Sequence, residues 1–155
     1  MGAGFLILAL SQATGASSGS IISAAQALIQ SFEGFRATPY WDVSRWSWGY
    51  GTPAPGPNGT ITREQAAAEM LPYIQPNYEY LLPMLTRSLN TNQWAALLSF
   101  AYNEGPGNAD NLMPNINSGD AAALETQWKK YIYADGVVNA DLIDRRNREW
   151  EVWQS

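Results

Sequence analysis

At Gly34 the chain changes its periodicity, and that change limits the folds open to it. Before it, Ile21, Ala25, Leu28, Ile29 and Phe32 recur at the three- and four-residue spacing of a helix with one buried face. Gly34 stands where a glycine would stop that helix, so Glu33 falls on its last turn. Ser23 followed by Gln26 reads as a capping box at its start. After Gly34, Thr38-Pro39-Tyr40 breaks helical propensity. Tyr40 to Tyr50 is aromatic and punctuated by Gly49, with Gly51 just beyond, the signature of short strands and tight turns. Two or three antiparallel strands are expected between Tyr40 and Thr60, ending in a Pro/Gly-rich loop from Pro53 to Gly59. The small sheet lobe is expected over residues 38–61.

Asp42 lies nine positions after Glu33. A helix-end carboxylate and a hairpin carboxylate can face each other across a cleft. Hydrolysis of a glycosidic bond needs such a pair, one acid to protonate the leaving oxygen and one base or charge on the other side. The same spacing fits an exposed helix-end Glu and a turn-forming Asp, and spacing by itself leaves both readings open. Packing between Phe32 and Phe35 at a helix C-terminus would disfavour the charged form of Glu33, as a general acid requires.

Composition removes other chemistries. The 155 residues contain no His and no Cys, which excludes a His-based triad, a thiol nucleophile, a disulfide framework and the common His-containing zinc sites. The net charge of −5 argues against nucleic acid as a partner and against long-range attraction to an anionic polymer. Seven Trp and eight Tyr can serve both a core and a sugar groove, since aromatic faces stack on pyranose rings.

The rest of the chain reads as helices. Thr62 with Gln65 is a capping box, and the helix that follows carries Pro72 and Pro76, with Pro83 beyond, so it is expected to be kinked or broken. Thr91 is expected to cap a helix with Trp94, Leu97, Leu98 and Ala101 on one face. Ala121, Leu124, Trp128, Tyr131 and Ile132 predict another, ended by Asp135-Gly136. Asn139 caps the last, with Leu142, Ile143, Trp150 and Trp153 inward. Residues 1–20 hold a short apolar run and the Ser/Gly-rich stretch Gly15 to Ser20, read as an arm, a short helix or a weak signal-anchor plus linker. Residues 21–155 are read as one domain. The fold class is α+β, with a small antiparallel β-lobe, a larger helical lobe and a cleft between them.

Four blocks carry a resemblance: Glu33-Gly34 with Asp42 and Trp46-Ser47-Trp48-Gly49-Tyr50-Gly51, then Asn92 to Gly105, Leu112 to Asp120, and Leu142 to Glu149. From about residue 22 onward the sequence resembles the phage-type, T4-like muramidase endolysins of glycoside hydrolase family 24. The resemblance implies a lysozyme-like fold and hydrolysis of the β-1,4 bond between N-acetylmuramic acid and N-acetylglucosamine in bacterial peptidoglycan. It makes Glu33 the general acid and Asp42 the group that stabilises charge on the sugar ring and helps position water. The family's water-holding Thr has no match at its usual spacing from Asp42, because the turn at Val43 to Arg45 is one residue short. Ser47 then takes that role. The resemblance further implies groove or supporting roles for Trp46, Tyr50, Asn103 and Glu104, and an Arg145 that reaches back to Glu33. It implies no cofactor, no metal, no stable membrane span, a monomer, and a protein made in the host cytoplasm that acts on the wall after release. Two other readings remain from the residues: a non-catalytic glycan-binding or virion structural protein of the same fold, and a lytic transglycosylase.

Overall fold

Ser17 opens the first helix of the computed structural model, which describes residues 16–155. Its hydroxyl accepts the Ser20 N–H at 3.1 Å, and α1 runs Ser18–Glu33. Part of the expected linker is therefore the first helical turn. The capping box expected at Ser23 does not form, because Ser17 already caps the helix and Ser23 lies inside it. Gln26 Nε2 instead donates to Ala67 O at 2.6 Å. Ile21, Ala25 and Ile29 are buried, and Gly34 ends the helix at φ 66°, its N–H donating to Gln30 O. Up to residue 15, the expected arm or signal-anchor lies outside the described residues.

The chain then enters a three-stranded antiparallel sheet, β1 (Arg36–Asp42), β2 (Arg45–Gly49) and β3 (Thr52–Pro53), in that order. It begins at Arg36 rather than at Tyr40, because β1 is an edge strand, where Pro39 costs no central ladder bond. Tyr40 pairs with Ser47, Trp41 with Trp46 and Asp42 with Arg45. Cross-strand partners share a face and neighbours alternate, so Tyr40, Asp42, Arg45 and Ser47 lie on one face. Trp41, Trp46 and Trp48 lie on the other. The turn between β1 and β2 puts Val43 at φ 48°, an uncommon conformation for a β-branched residue. The following loop is sealed to β1 by the Ile61 N–H, which donates to Ala37 O at 2.9 Å.

Helix α2 (Arg63–Leu81) starts with the expected Thr62–Gln65 capping box. It is continuous through Pro72 and Pro76, and a 3₁₀ turn over Leu82–Met84 takes up Pro83. The expected break does not occur because both prolines, four residues apart, lie on the solvent face. The carbonyls they deprive of N–H partners can turn to water there, while Ala66, Met70, Ile74 and Tyr78 hold the inner face. Glu69 fastens this helix to the sheet, accepting from Trp48 Nε1 at 2.9 Å and Thr52 Oγ1 at 2.8 Å.

Helix α3 (Thr91–Glu104) is capped by Asn90, one residue before the expected cap, in a capping box with Gln93. Every residue from Trp94 to Ala101 is buried, so the helix has no solvent face along that stretch and serves as the centre of the larger lobe. It packs against α1 on one side and the last helix on another. Short helices follow, α4 (Pro106–Ala109), a 3₁₀ turn (Asp110–Leu112), α5 (Met113–Ser118) and α6 (Ala121–Trp128). α6 stops before Tyr131. Tyr133–Ala134 (β4) and Val137–Val138 (β5) instead form a hairpin around Asp135 and Gly136, both at positive φ, as a two-residue type I′ turn demands. Helix α7 (Ala140–Gln154) is capped by Asn139 as expected. Its inner face differs from expectation. Ile143 is exposed, and Arg145, Arg146 and Glu149 are buried beside Trp150 and Trp153. No helix among the described residues is long and apolar enough to cross a membrane.

Candidate active site

Glu33 is delivered to the junction of the two lobes by the glycine stop of α1. Its side chain keeps 25 % of its accessible area, and Oε1 lies 2.7 Å from Arg145 Nη1. Gly51, at φ 87°, brings backbone close to the other carboxylate oxygen, since a Cβ there would stand 3.6 Å from Glu33 Oε2. The Phe32 ring lies under two guanidiniums, Arg145 at 4.7 Å and Arg148 at 4.3 Å. Phe35 packs on Tyr50, with ring centroids 5.5 Å apart, and carries Arg63 at 4.4 Å. The apolar surroundings expected for Glu33 are thus bordered by cations.

Arg145 is itself fixed from behind. Its Nε donates to Glu149 Oε1 at 3.2 Å, and Nη2 donates to Ser99 O at 3.3 Å and Ser99 Oγ at 3.4 Å. Glu149 is fully buried and also accepts from Ser99 Oγ at 2.7 Å, Trp128 Nε1 at 3.1 Å and Arg146 Nη2 at 3.3 Å. Arg146 Nε stands 2.9 Å from Glu149 Oε2, an ionic contact rather than an aligned hydrogen bond. Arg146 donates outward to Glu104 Oε1 at 3.0 Å and Asn103 Oδ1 at 2.7 Å. Burial draws the Arg146 guanidinium below its ordinary range, and Glu149 opposes that shift. One buried carboxylate therefore orients two guanidiniums, and one of these holds Glu33.

On the sheet, Asp42 and Ser47 share the face that also carries Tyr40 and Arg45. Asp42 is exposed at the strand end, where its backbone carbonyl accepts the Ser44 N–H. Ser47 is fully buried, and its Oγ has no hydrogen-bond partner among the described residues. Burial and the Asp42 carboxylate push the Tyr40 hydroxyl above its ordinary value, Arg36 and Arg45 pull it down, and Glu33 adds to the rise. Arg45, on the same face, donates Nη2 to Gly51 O at 3.3 Å, and Gly51 lies against the Glu33 carboxylate, which puts this face beside Glu33. Across the junction, Tyr102 donates to Tyr50 O at 3.3 Å. Burial and then Glu33 push its hydroxyl up to about 12.

Four expected groove or supporting residues make their contacts elsewhere. Trp46 lies on the opposite face from Ser47, edge-on to Trp41 at 5.5 Å. The Tyr50 ring is buried against Phe35, so only its backbone carbonyl joins the junction. Asn103 and Glu104 are held by Arg146. Reading residues singly missed Glu149, Arg146 and Ser99. The Arg145-Arg146-x-x-Glu149 spacing carried the signal, since it sets the carboxylate three and four residues from the two arginines on one helix face. No group of three or more Asp and Glu among the described residues is arranged to hold a metal ion.

The phage lysozyme family model matches residues 30–149, a span that opens just before Glu33 and closes on Glu149. The endolysin of Bacillus phage PZA is 30 % identical over 135 residues, covering 83 % of this chain and 52 % of that protein. The chain thus spans about half the length of the curated relatives it matches. Among solved structures, the muramidase domain of SpmX from Asticaccaulis excentricus is 28 % identical with a TM-score of 0.75, covering 85 % of this chain and 95 % of that one. A mutant P22 lysozyme shares the fold, with a TM-score of 0.74 at 22 % identity over 90 % of this chain and 97 % of that one. With the model spanning both ends of the Glu33–Arg145–Glu149 chain of ion pairs, this protein belongs to the phage lysozyme family.

Proposed function

We propose that the protein is a peptidoglycan-hydrolysing endolysin that cuts the β-1,4 bond between N-acetylmuramic acid and N-acetylglucosamine, acting on the cell wall after release from the host cytoplasm. One observation carries the reading. A carboxyl group is clamped at 2.7 Å by a nearly buried guanidinium, beside a sheet face that offers a second carboxylate and a buried hydroxyl. Glu33 gives its proton to the glycosidic oxygen as the C–O bond breaks, so the departing sugar leaves as an alcohol. Asp42 stabilises the positive charge that builds on the ring and orients the attacking water. Ser47 Oγ, buried and with no hydrogen-bond partner among the described residues, has the hydrogen-bonding capacity to hold that water once the site admits it. Arg145 fixes the Glu33 carboxyl, and Glu149 fixes Arg145. Family membership and the endolysin relatives support the assignment.

Digestion of purified peptidoglycan, with the fragments weighed by mass spectrometry, tests it. The expected products are muropeptides with a reducing end. Fragments lighter by one water, with an anhydro sugar, would make the protein a lytic transglycosylase. Binding to the wall without any fragments would make it a non-catalytic module.

A further inference from the structure

The chain is acidic, yet its cations are not spread evenly. Of the nine Lys and Arg residues, Arg145, Arg146, Arg148 and Lys129 are paired with carboxylates. Among the described residues Arg36 and Arg45 have no carboxylate within 4.0 Å, although Asp42 is the cross-strand partner of Arg45 and Glu33 lies nearby. Arg45 turns aside instead, giving Nη2 to Gly51 O at 3.3 Å, beside the Glu33 carboxylate. A guanidinium has five N–H donors, and this contact uses one. Arg36 lies over the Tyr40 ring, 4.4 Å from its centroid. Stacking occupies the face of the guanidinium and leaves its in-plane donors free. The bulged register of β1 puts Arg36, Tyr40, Asp42 and Arg45 on the same sheet face. Two guanidinium forks with spare donors, on the sheet face that carries Tyr40 and next to the Glu33 carboxylate, have the donors an anion site needs.

We propose that Arg36 and Arg45, flanking Tyr40, form a substrate subsite that takes a carboxylate of the peptide stems carried by the glycan strand. This rests on the peptidoglycan reading above. The lactyl groups of the strand are already amide-linked to the stems, so stem carboxylates are the anions that strand offers. The subsite also accounts for how an acidic protein approaches an acidic polymer. The net charge of −5 repels it at long range, but within about 10 Å unscreened local cations dominate.

The test uses soluble peptide-bearing glycan fragments from peptidoglycan, and the same fragments with their carboxylates converted to neutral amides by carbodiimide and ammonia. The wild type is expected to show a KM about five- to tenfold higher on the amidated fragments, with kcat within about twofold. Arg36→Gln/Arg45→Gln is expected to show that raised KM on native fragments and no further rise on amidated ones. Equal wild-type KM values on the two substrates overturn the subsite, with no variant needed. A double variant that keeps the wild-type preference for native fragments also overturns it, because the carboxylate is then read elsewhere. If the wild type cleaves neither substrate, the hydrolase reading fails first and the subsite falls with it.

Discussion

Glu149→Gln removes one negative charge and almost no volume, so it isolates what a buried carboxylate does here. In the native protein two guanidiniums, with 7 % and 0 % of their side-chain area exposed, share three carboxylates. Glu33 and Glu104 are on the outer side and partly solvated, while Glu149 is inside and wholly buried. The substitution leaves two cations against the two outer carboxylates. It also turns part of an acceptor that received Arg145, Arg146, Ser99 and Trp128 into an amide donor facing donors. Breaking a buried pair from one side costs about 3–5 kcal/mol. For a domain of this size each kcal/mol moves the melting temperature by about 2–4 °C, so a fall of roughly 6–20 °C is expected. Ser99→Ala is the comparison. It removes one donor at 2.7 Å and leaves the charges in place, for about 1 kcal/mol. Urea denaturation of both variants beside the wild type measures the difference. If Glu149→Gln costs no more than Ser99→Ala, the carboxylate is not what holds the two arginines, and the argument that Arg145 is fixed from behind fails.

Ser47→Ala should leave stability unchanged or raise it by up to about 2 kcal/mol, since the buried hydroxyl it removes has no hydrogen-bond partner among the described residues, while wall-lytic activity falls by about a hundredfold; a stability loss with activity intact would contradict the role given to Oγ. Pro72→Ala should raise stability by about 1–2 kcal/mol in urea denaturation, because it restores an N–H on the solvent face of α2, and a neutral or negative change would mean the helix is not regular there. The Tyr102 hydroxyl is held up to about 12 in the folded state against about 10 unfolded, so the native state keeps its proton longer. Its contribution is fully present below about pH 10 and is lost as pH rises toward about 12. Tyr102→Phe should flatten that part of the stability profile, and an unchanged profile would contradict the assignment.

Local chemistry was legible in the sequence at several element ends, though not at Ser23 or Thr91. The Gly34 stop, the Thr62–Gln65 box and the Asn139 cap fall where short-range rules put them. Pro72 and Pro76 do not break α2, because a proline breaks a helix only where the lost bond cannot be replaced, and which face meets water is a tertiary fact. The helical period through Tyr131 hid the Asp135-Gly136 hairpin, although Asp-Gly is itself a strong turn signal. Glu33, Asp42 and Ser47 could be picked out of the sequence as candidates, but the side of the sheet that Trp46 takes and the burial of the Tyr50 ring depend on register and packing. Charged side chains are almost never fully buried unless paired, so no single-residue rule would bury Glu149. Nor does any local rule put Arg36 over Tyr40.

The central claim is that Glu33 is the acid of a wall hydrolase, and Glu33→Gln tests it most directly. The variant keeps the size and one acceptor of the side chain but carries no proton to give. Initial rates of peptidoglycan clearing by wild type and variant, at matched folding and wall binding, are the measurement. The account predicts that the wild type clears the wall and that the variant binds it but clears it at least about a thousandfold more slowly. A variant that clears the wall within about tenfold of the wild type would contradict it, and the proton donor would have to be sought elsewhere.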